Sequence, residues 1–188
     1  MKKLIVVAHC LLNNGSKLQS AGNAIKAEDD LRKDFITLCV ENDIQILQLP
    51  CPEVTIYGAR RWGHCSNQFD NPFFKDHCRK ILKPIIHQLQ EYDKEREFYE
   101  ILGIIGVDGS PSCGVDYTYK SDNWFGEFSD RATDLISDIS SIERAEESGI
   151  FIKILKEELE KSNLDIKITG LFVSEKDKVY EVINKAIK

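Results

Sequence analysis

No apolar run in this 188-residue chain approaches the roughly 20 residues that a membrane-spanning helix needs, so a helical membrane protein is not expected. The run that follows Met1-Lys2-Lys3 is broken by His9 and then by Asn13-Asn14-Gly15. That is too early for the apolar region and cleavage site of a secretory signal. An excess of basic charge is also missing. Lys and Arg number 25 against 31 Asp and Glu, a net charge of −6, which argues against broad binding to nucleic acid or an anionic membrane. Arg60-Arg61 and Arg79-Lys80 could still supply local basic patches. There is no internal repeat, low-complexity tract or linker, and the length suits one well-buried domain, 1–188. A cytoplasmic location is expected. Six cysteines are present, yet none stands in the paired C-x-x-C spacing that marks zinc sites. In a reducing compartment they are not expected to form a disulfide framework, which gives weight to metal binding or thiol chemistry.

Strand and helix patterns alternate along the chain, and the expected fold is α/β: a single-domain, mostly parallel sheet flanked by helices, Rossmann-like. Strand one covers about residues 3 to 9. A polar loop with Asn13, Asn14, Gly15 and Gly22 leads to a helix over 24–42, where Ile25, Leu31, Phe35, Leu38 and Cys39 approximate one apolar face. Strand two ends at Pro50, and 51–71 reads as a long functional loop. Asn71-Pro72 opens a helix running to about Tyr92, with a kink expected at Pro84. Strand three, Ile101 to Val107, is the most apolar run and is expected at the sheet's centre. An irregular stretch follows over 108–130, then a polar connection. Ser148 is expected to cap a helix ending near Ser162, and 165–173 gives strand four. Ser174-Glu175-Lys176-Asp177 resembles a capping box for a C-terminal helix.

Three cysteines, Cys10, Cys51 and Cys113, each lie just past the end of an apolar strand run. Ligand sites of open parallel sheets form outside the carboxyl ends of the strands, so these side chains are expected to meet on one edge. Each alone would more often be a small buried hydrophobe. Three soft thiolates at equivalent strand ends, with no obvious fourth, suit an iron–sulfur cluster with one iron left free for substrate. Cys39 is expected in the core, and Cys78 either packs or faces solvent. His64, Cys65, His77 and Cys78 could form a two-nitrogen, two-sulfur zinc site. Glu53, two positions past Cys51, could move a proton or could instead pair with Arg60 or Arg61. Ser110 could bond a substrate heteroatom or cap a turn, and its neighbour Ser112 is as well placed for substrate contact. Gly109 and Gly114 are expected to adopt angles other residues rarely take. His9 reads as a core histidine. Trp62, Phe69, Phe73 and Phe74 could wall a flat substrate or simply pack.

Cys-Leu-Leu at 10–12, Cys-Pro-Glu at 51–53 and Ser-Pro-Ser-Cys-Gly at 110–114 together resemble the TudS family of thiouracil desulfidases. The three motifs frame roughly the first two thirds of the chain, and their order is more specific than any one of them. The resemblance implies an α/β fold and a [4Fe-4S] cluster held by Cys10, Cys51 and Cys113, with one iron not bound by protein. It implies catalytic assistance from Glu53 and Ser110, and hydrolytic, non-redox conversion of a thiocarbonyl to a carbonyl with release of hydrogen sulfide. The implied substrate is a small thiolated base or nucleoside; tRNA is possible, but the acidic net charge does not favour it, and no membrane partner is expected. The chain is a divergent member by this resemblance. Asn13-Asn14-Gly15-Ser16 stands where a Gly and a Tyr-Asp-Gly element are usual. The run from Val54 to Arg61 replaces a Gly-Gly stretch leading to Pro-Arg. Two other readings of the residues are a non-catalytic iron–sulfur sensor or sulfur carrier, and a metal-free protein with Cys113 as nucleophile.

Overall fold

Alternation in the first apolar run sets the architecture. Ile5 and Val7 pack with one set of core residues, Val6 and Ala8 with another, and all four are buried. A strand covered on both faces must have helices on both sides. The computed structural model describes residues 1–20 and 23–187; Gly22 of the expected loop and the side chain of Ile25 lie outside them. The strands are β1 (Lys2–Val7), β2 (Ile44–Gln48), β3 (Tyr99–Val107), β4 (Thr118–Lys120), β5 (Glu143–Ala145) and β6 (Ile168–Leu171). Four of them form a parallel sheet in the order β2-β1-β3-β6, with Ile5 beside Ile46 and Val6 beside Ile104. The fold is α/β, with this sheet flanked by helices.

The helices are α1 (His9–Leu12), α2 (Asn23–Glu41), α3 (Pro52–Tyr57), α4 (Ser66–Phe69), α5 (Pro72–Lys94), α6 (Leu135–Ser140), α7 (Ile150–Lys161) and α8 (Asp177–Ile187). Leu82 and Leu89 of α5 and Phe151 and Leu155 of α7 cover the face that carries Val6 and Ile104. Leu31, Phe35 and Cys39 of α2, with Val179 and Ile183 of α8, cover the face that carries Ile5 and Ile105. The chain leaves β1 toward β2 and leaves β3 toward β6. The strand order therefore diverges between β1 and β3, where parallel sheets open a crevice for ligands.

Several expectations need correction. Residues 51–71 contain α3 and α4, which are too short to show a helical period. Helix α5 starts as expected, with Asn71 Oδ1 accepting from Phe74 N at 3.0 Å, and it continues through Pro84 to Lys94. Ser148 does not cap α7. Its hydroxyl donates to Val115 O at 2.6 Å, and Gly149 takes the N-cap position. Ser174 sits inside a 3-10 turn, Val173–Glu175, so the expected capping box is not formed. The polar connection contributes β5, which pairs antiparallel with β4.

The turn after β3 is latched from below. Asp108 is buried, and its Oδ1 accepts from Val115 N at 2.8 Å and Asp116 N at 2.9 Å. Its Oδ2 accepts from Lys178 Nζ of α8 at 3.5 Å. Gly170 of β6 leaves room for this carboxylate, since a Cβ there would lie 2.0 Å from Oδ2. Asp108→Ala is therefore expected to strand the buried Val115 N–H, remove the partner of the partly buried Asp116 N–H, and lower stability by about 2 kcal/mol. Urea unfolding checks this, and a loss below about 0.5 kcal/mol would show that the latch carries no strain-bearing load.

Candidate functional site

Each of the three strand-end cysteines emerges at the crevice edge. Cys10 lies in α1, directly after β1; Cys51 is the N-cap of α3, after β2; Cys113 lies in the turn after β3. The Cys51 Sγ accepts from Val54 N at 3.5 Å, as an N-cap side chain does, and Pro52 fills the first helical position without a donor to satisfy. Gly109 makes the turn after β3 with φ +81. Gly114 takes no such angle and is needed for space, because a Cβ there would lie 2.4 Å from Tyr117 O. Cys113 O accepts from Val107 N at 2.9 Å, folding its turn back onto the strand.

All three thiols are free. Burial raises the Cys10 pKa to about 11, with a further push from a charge on Cys51. Burial raises Cys113 well above the usual value, and charge on Cys10 and Cys51 raises it again. Burial also raises Cys51, opposed by the Val54 N–H. Charge on Cys51 reaches both Cys10 and Cys113, and charge on Cys10 reaches Cys113, so the three lie in one neighbourhood, and their raised pKa values make them poor nucleophiles when bare. Among the described residues, one trio of His, Cys, Asp and Glu has ligand atoms all within 4.8 Å of one another: Asp108, Asp116 and Glu175. Lys178 Nζ bonds all three, at 3.5, 2.6 and 2.7 Å, which makes that trio a salt-bridge node. The sulfurs of Cys10, Cys51 and Cys113 do not all lie within 4.8 Å of one another, whereas one tetrahedral zinc at about 2.3 Å per Zn–S bond would hold every pair at roughly 3.8 Å.

Glu53 lies in the first turn of α3 and is buried. Its Oε1 accepts from Ser112 Oγ at 2.6 Å and its Oε2 from Arg61 Nε at 3.1 Å. Arg61, whose side chain is only 5% exposed, also donates to Ser16 O at 2.8 Å and Gly58 O at 3.4 Å. Glu53 therefore pairs with Arg61, not Arg60, and Ser112 links it to Cys113. Ser110 Oγ accepts from Cys113 N at 3.0 Å and Ser112 N at 3.4 Å, which is turn capping. It also lies 3.3 Å from Ser112 Oγ. Since Ser112 gives its proton to Glu53, Ser110 is the donor to Ser112, and the two hydroxyls form a chain ending at the carboxylate. Ser112, which also lies 3.6 Å from Cys113 Sγ, is the serine that touches Glu53. Its signal in the sequence is its position next to a candidate ligand.

The four candidate zinc ligands do not come together among the described residues. Cys65 and Cys78 are core, and His77 Nε2 bonds Thr55 Oγ1 at 2.7 Å. The His64 ring stacks against Tyr57 with centroids 4.8 Å apart and leans on Phe69 at 5.0 Å; burial lowers its pKa. His9 is half-buried in α1, beside Asn13, instead of in a strand. Phe69 and Phe74 are core, stacked at 4.2 Å, while Phe73 is exposed and Trp62 lies against exposed Phe128 at 5.9 Å. Cys10 also borders a recess with Asn14, Lys17, Arg32, Val107 and Phe172; at about 30 Å³ it has room for a water, not a heterocycle.

Comparison with known proteins adds a family and a relative. The family model described as "Putative 2-thiouracil desulfurase" matches residues 1–176. An uncharacterized protein of Methanocaldococcus jannaschii is 28% identical over 189 aligned positions, covering 100% of this chain and 98% of the relative. No solved structure matches the chain.

The ion pair generates a stability prediction. Arg61→Met leaves the Glu53 carboxylate buried without its cation and is expected to cost about 3–5 kcal/mol. Adding Glu53→Gln removes that orphan charge, so the double variant should recover stability relative to Arg61→Met alone. A urea double-mutant cycle measures the coupling, and additive losses would show that the pair acts as two independent groups.

Proposed function

This chain belongs to the family described as putative 2-thiouracil desulfurases, and we propose that it hydrolyses the thiocarbonyl of a small thiolated nucleobase, such as 2-thiouracil, with an iron–sulfur cluster as cofactor. The observation that carries the mechanism is the Glu53 carboxylate, buried between Arg61 and Ser112 and two residues from Cys51. The donor set fits the cofactor. Cys113 is buried, Cys10 and Cys51 are half-buried, and all three thiols have raised pKa values, so a metal centre that supplies positive charge would favour their thiolates. Cys10, Cys51 and Cys113 would hold a [4Fe-4S] cluster and leave one iron without a protein ligand. When bound, the cluster supplies a sulfur-loving Lewis acid beside the carboxylate.

The protein groups handle the protons. Water adds to the thiocarbonyl carbon as Glu53 takes one of its protons, forming a tetrahedral adduct of the base. The new oxygen then re-forms a C=O bond while the C–S bond breaks, and the protons left over depart with sulfur as hydrogen sulfide. One thiocarbonyl and one water give one carbonyl and one hydrogen sulfide, so no electrons are exchanged. Arg61 fixes one carboxylate oxygen and leaves the other to exchange protons through Ser112 and Ser110. Ser110 thus contributes through this chain and by shaping the turn. The net charge of −6 favours a free base or nucleoside over tRNA as substrate. Burial raises the Cys113 thiol, which disfavours the metal-free nucleophile.

The test is sulfide and uracil release from 2-thiouracil, in equal amounts and without added reductant, by anaerobically reconstituted protein. Glu53→Gln with unchanged iron content should lose at least about 100-fold in turnover. Unchanged turnover would remove Glu53 from the chemistry, and an iron-loaded wild type that releases no sulfide would point to a sensor or carrier.

A further inference from the structure

Helix α3 carries a second group on the face that presents Glu53. Tyr57 lies four residues on, one helical turn along the same side. The helix ends immediately after it at Gly58, whose φ of +73 turns the chain away. A Cβ on Gly58 would find nothing within 4 Å, so the space beside the end of the helix is open. The Arg61 guanidinium that grips Glu53 also donates to Gly58 O, which ties this helix end to the carboxylate.

Tyr57 also belongs to an aromatic cluster. His64 stacks on it with centroids 4.8 Å apart and planes at 25°, and Phe69 lies 5.0 Å from His64 and 6.0 Å from Tyr57, its plane at 19° to the Tyr57 ring. Phe74 lies 4.2 Å from Phe69 with planes at 2°. Phe69 and Phe74 are buried in the core, whereas Tyr57 remains 41% exposed. The cluster therefore begins in the hydrophobic core and ends at a ring with surface to spare, one helical turn from Glu53.

We infer that Tyr57 is a specificity-determining residue: its exposed face stacks the planar heteroaromatic ring of the substrate and presents the thiocarbonyl to Glu53. The inference rests on the reading of Glu53 given above. His64 and Phe69 both brace the Tyr57 ring, so stacking costs little side-chain ordering. Base–aromatic stacking tolerates any planar ring, so selection is for flatness; the carboxylate selects for the thiocarbonyl.

The test compares 2-thiouracil with thioacetamide, which has the thiocarbonyl without the ring, in wild type, Tyr57→Phe, Tyr57→Leu and Tyr57→Ala. Iron content must match across the four. Tyr57→Ala and Tyr57→Leu are expected to raise KM for 2-thiouracil by about tenfold with kcat changed less than about threefold, and to leave thioacetamide kinetics unchanged. Tyr57→Phe keeps the ring and should behave as wild type, which excludes a general packing defect. Equal ratios of kcat/KM for the two substrates in wild type and Tyr57→Ala would overturn the inference. Equilibrium dialysis of 2-thiouracil keeps this question separate from catalysis. If the wild type binds the base without turnover and Tyr57→Ala loses binding, the stacking role stands while the desulfidase reading fails. If both bind alike, the stacking role is overturned.

Discussion

The Glu53 carboxylate joins segments that the chain makes far apart. One oxygen takes a bond from Ser112 in the turn after β3, and the other takes one from Arg61 in the loop after α3. Arg61 then reaches Ser16, in the turn that follows Cys10. The cysteine-bearing segments after β1, β2 and β3 are thereby cross-braced through a single buried ion pair. A buried carboxylate is tolerated only with its partners in place, so the loops must assemble together or leave a charge stranded. The Ser112 hydroxyl that bonds the carboxylate also lies 3.6 Å from Cys113 Sγ, so the same bonds keep the carboxylate one residue from that cysteine.

A second brace works from the opposite side. Asp108 fastens the start of the β3 turn to its own end, and Lys178 ties that carboxylate to α8. Ser110 caps the turn from within by accepting the Cys113 N–H. Ser112 and Cys113 thus sit in a turn fixed at three points. That rigidity matters because bare thiols in this neighbourhood resist ionisation: burial and neighbouring charge both raise their pKa. Under the proposed function, the cationic centre of a bound cluster would offset that resistance.

Much of this was legible in the sequence where the physical signal is continuous. Runs such as Ile101 to Val107 read as buried parallel strands because both faces are covered, and the three cysteines follow such runs directly. Choosing the partners was harder. Arg60 and Arg61 are indistinguishable in sequence, and only the fold turns Arg61 inward to Glu53. Ser110 and Ser112 flank one proline, and the backbone of the turn decides that Ser110 caps while Ser112 reaches the carboxylate. Helices α3 and α4, of six and four residues, are too short to show a period, so the segment carrying Tyr57 and His64 read as loop. The three-residue strands β4 and β5 were hidden for the same reason. Ser148 lies one residue from the N-cap it was expected to fill, and its hydroxyl found a nearer partner in Val115 O.

The central claim is that Cys10, Cys51 and Cys113 act as one ligand set. Iron and acid-labile sulfide per chain, measured after anaerobic reconstitution of the wild type and Cys113→Ala, test it most directly. The account predicts about four of each in the wild type and a sharp fall in the variant. Wild-type protein that takes up no iron, or a Cys113→Ala variant that retains the full complement, would contradict it.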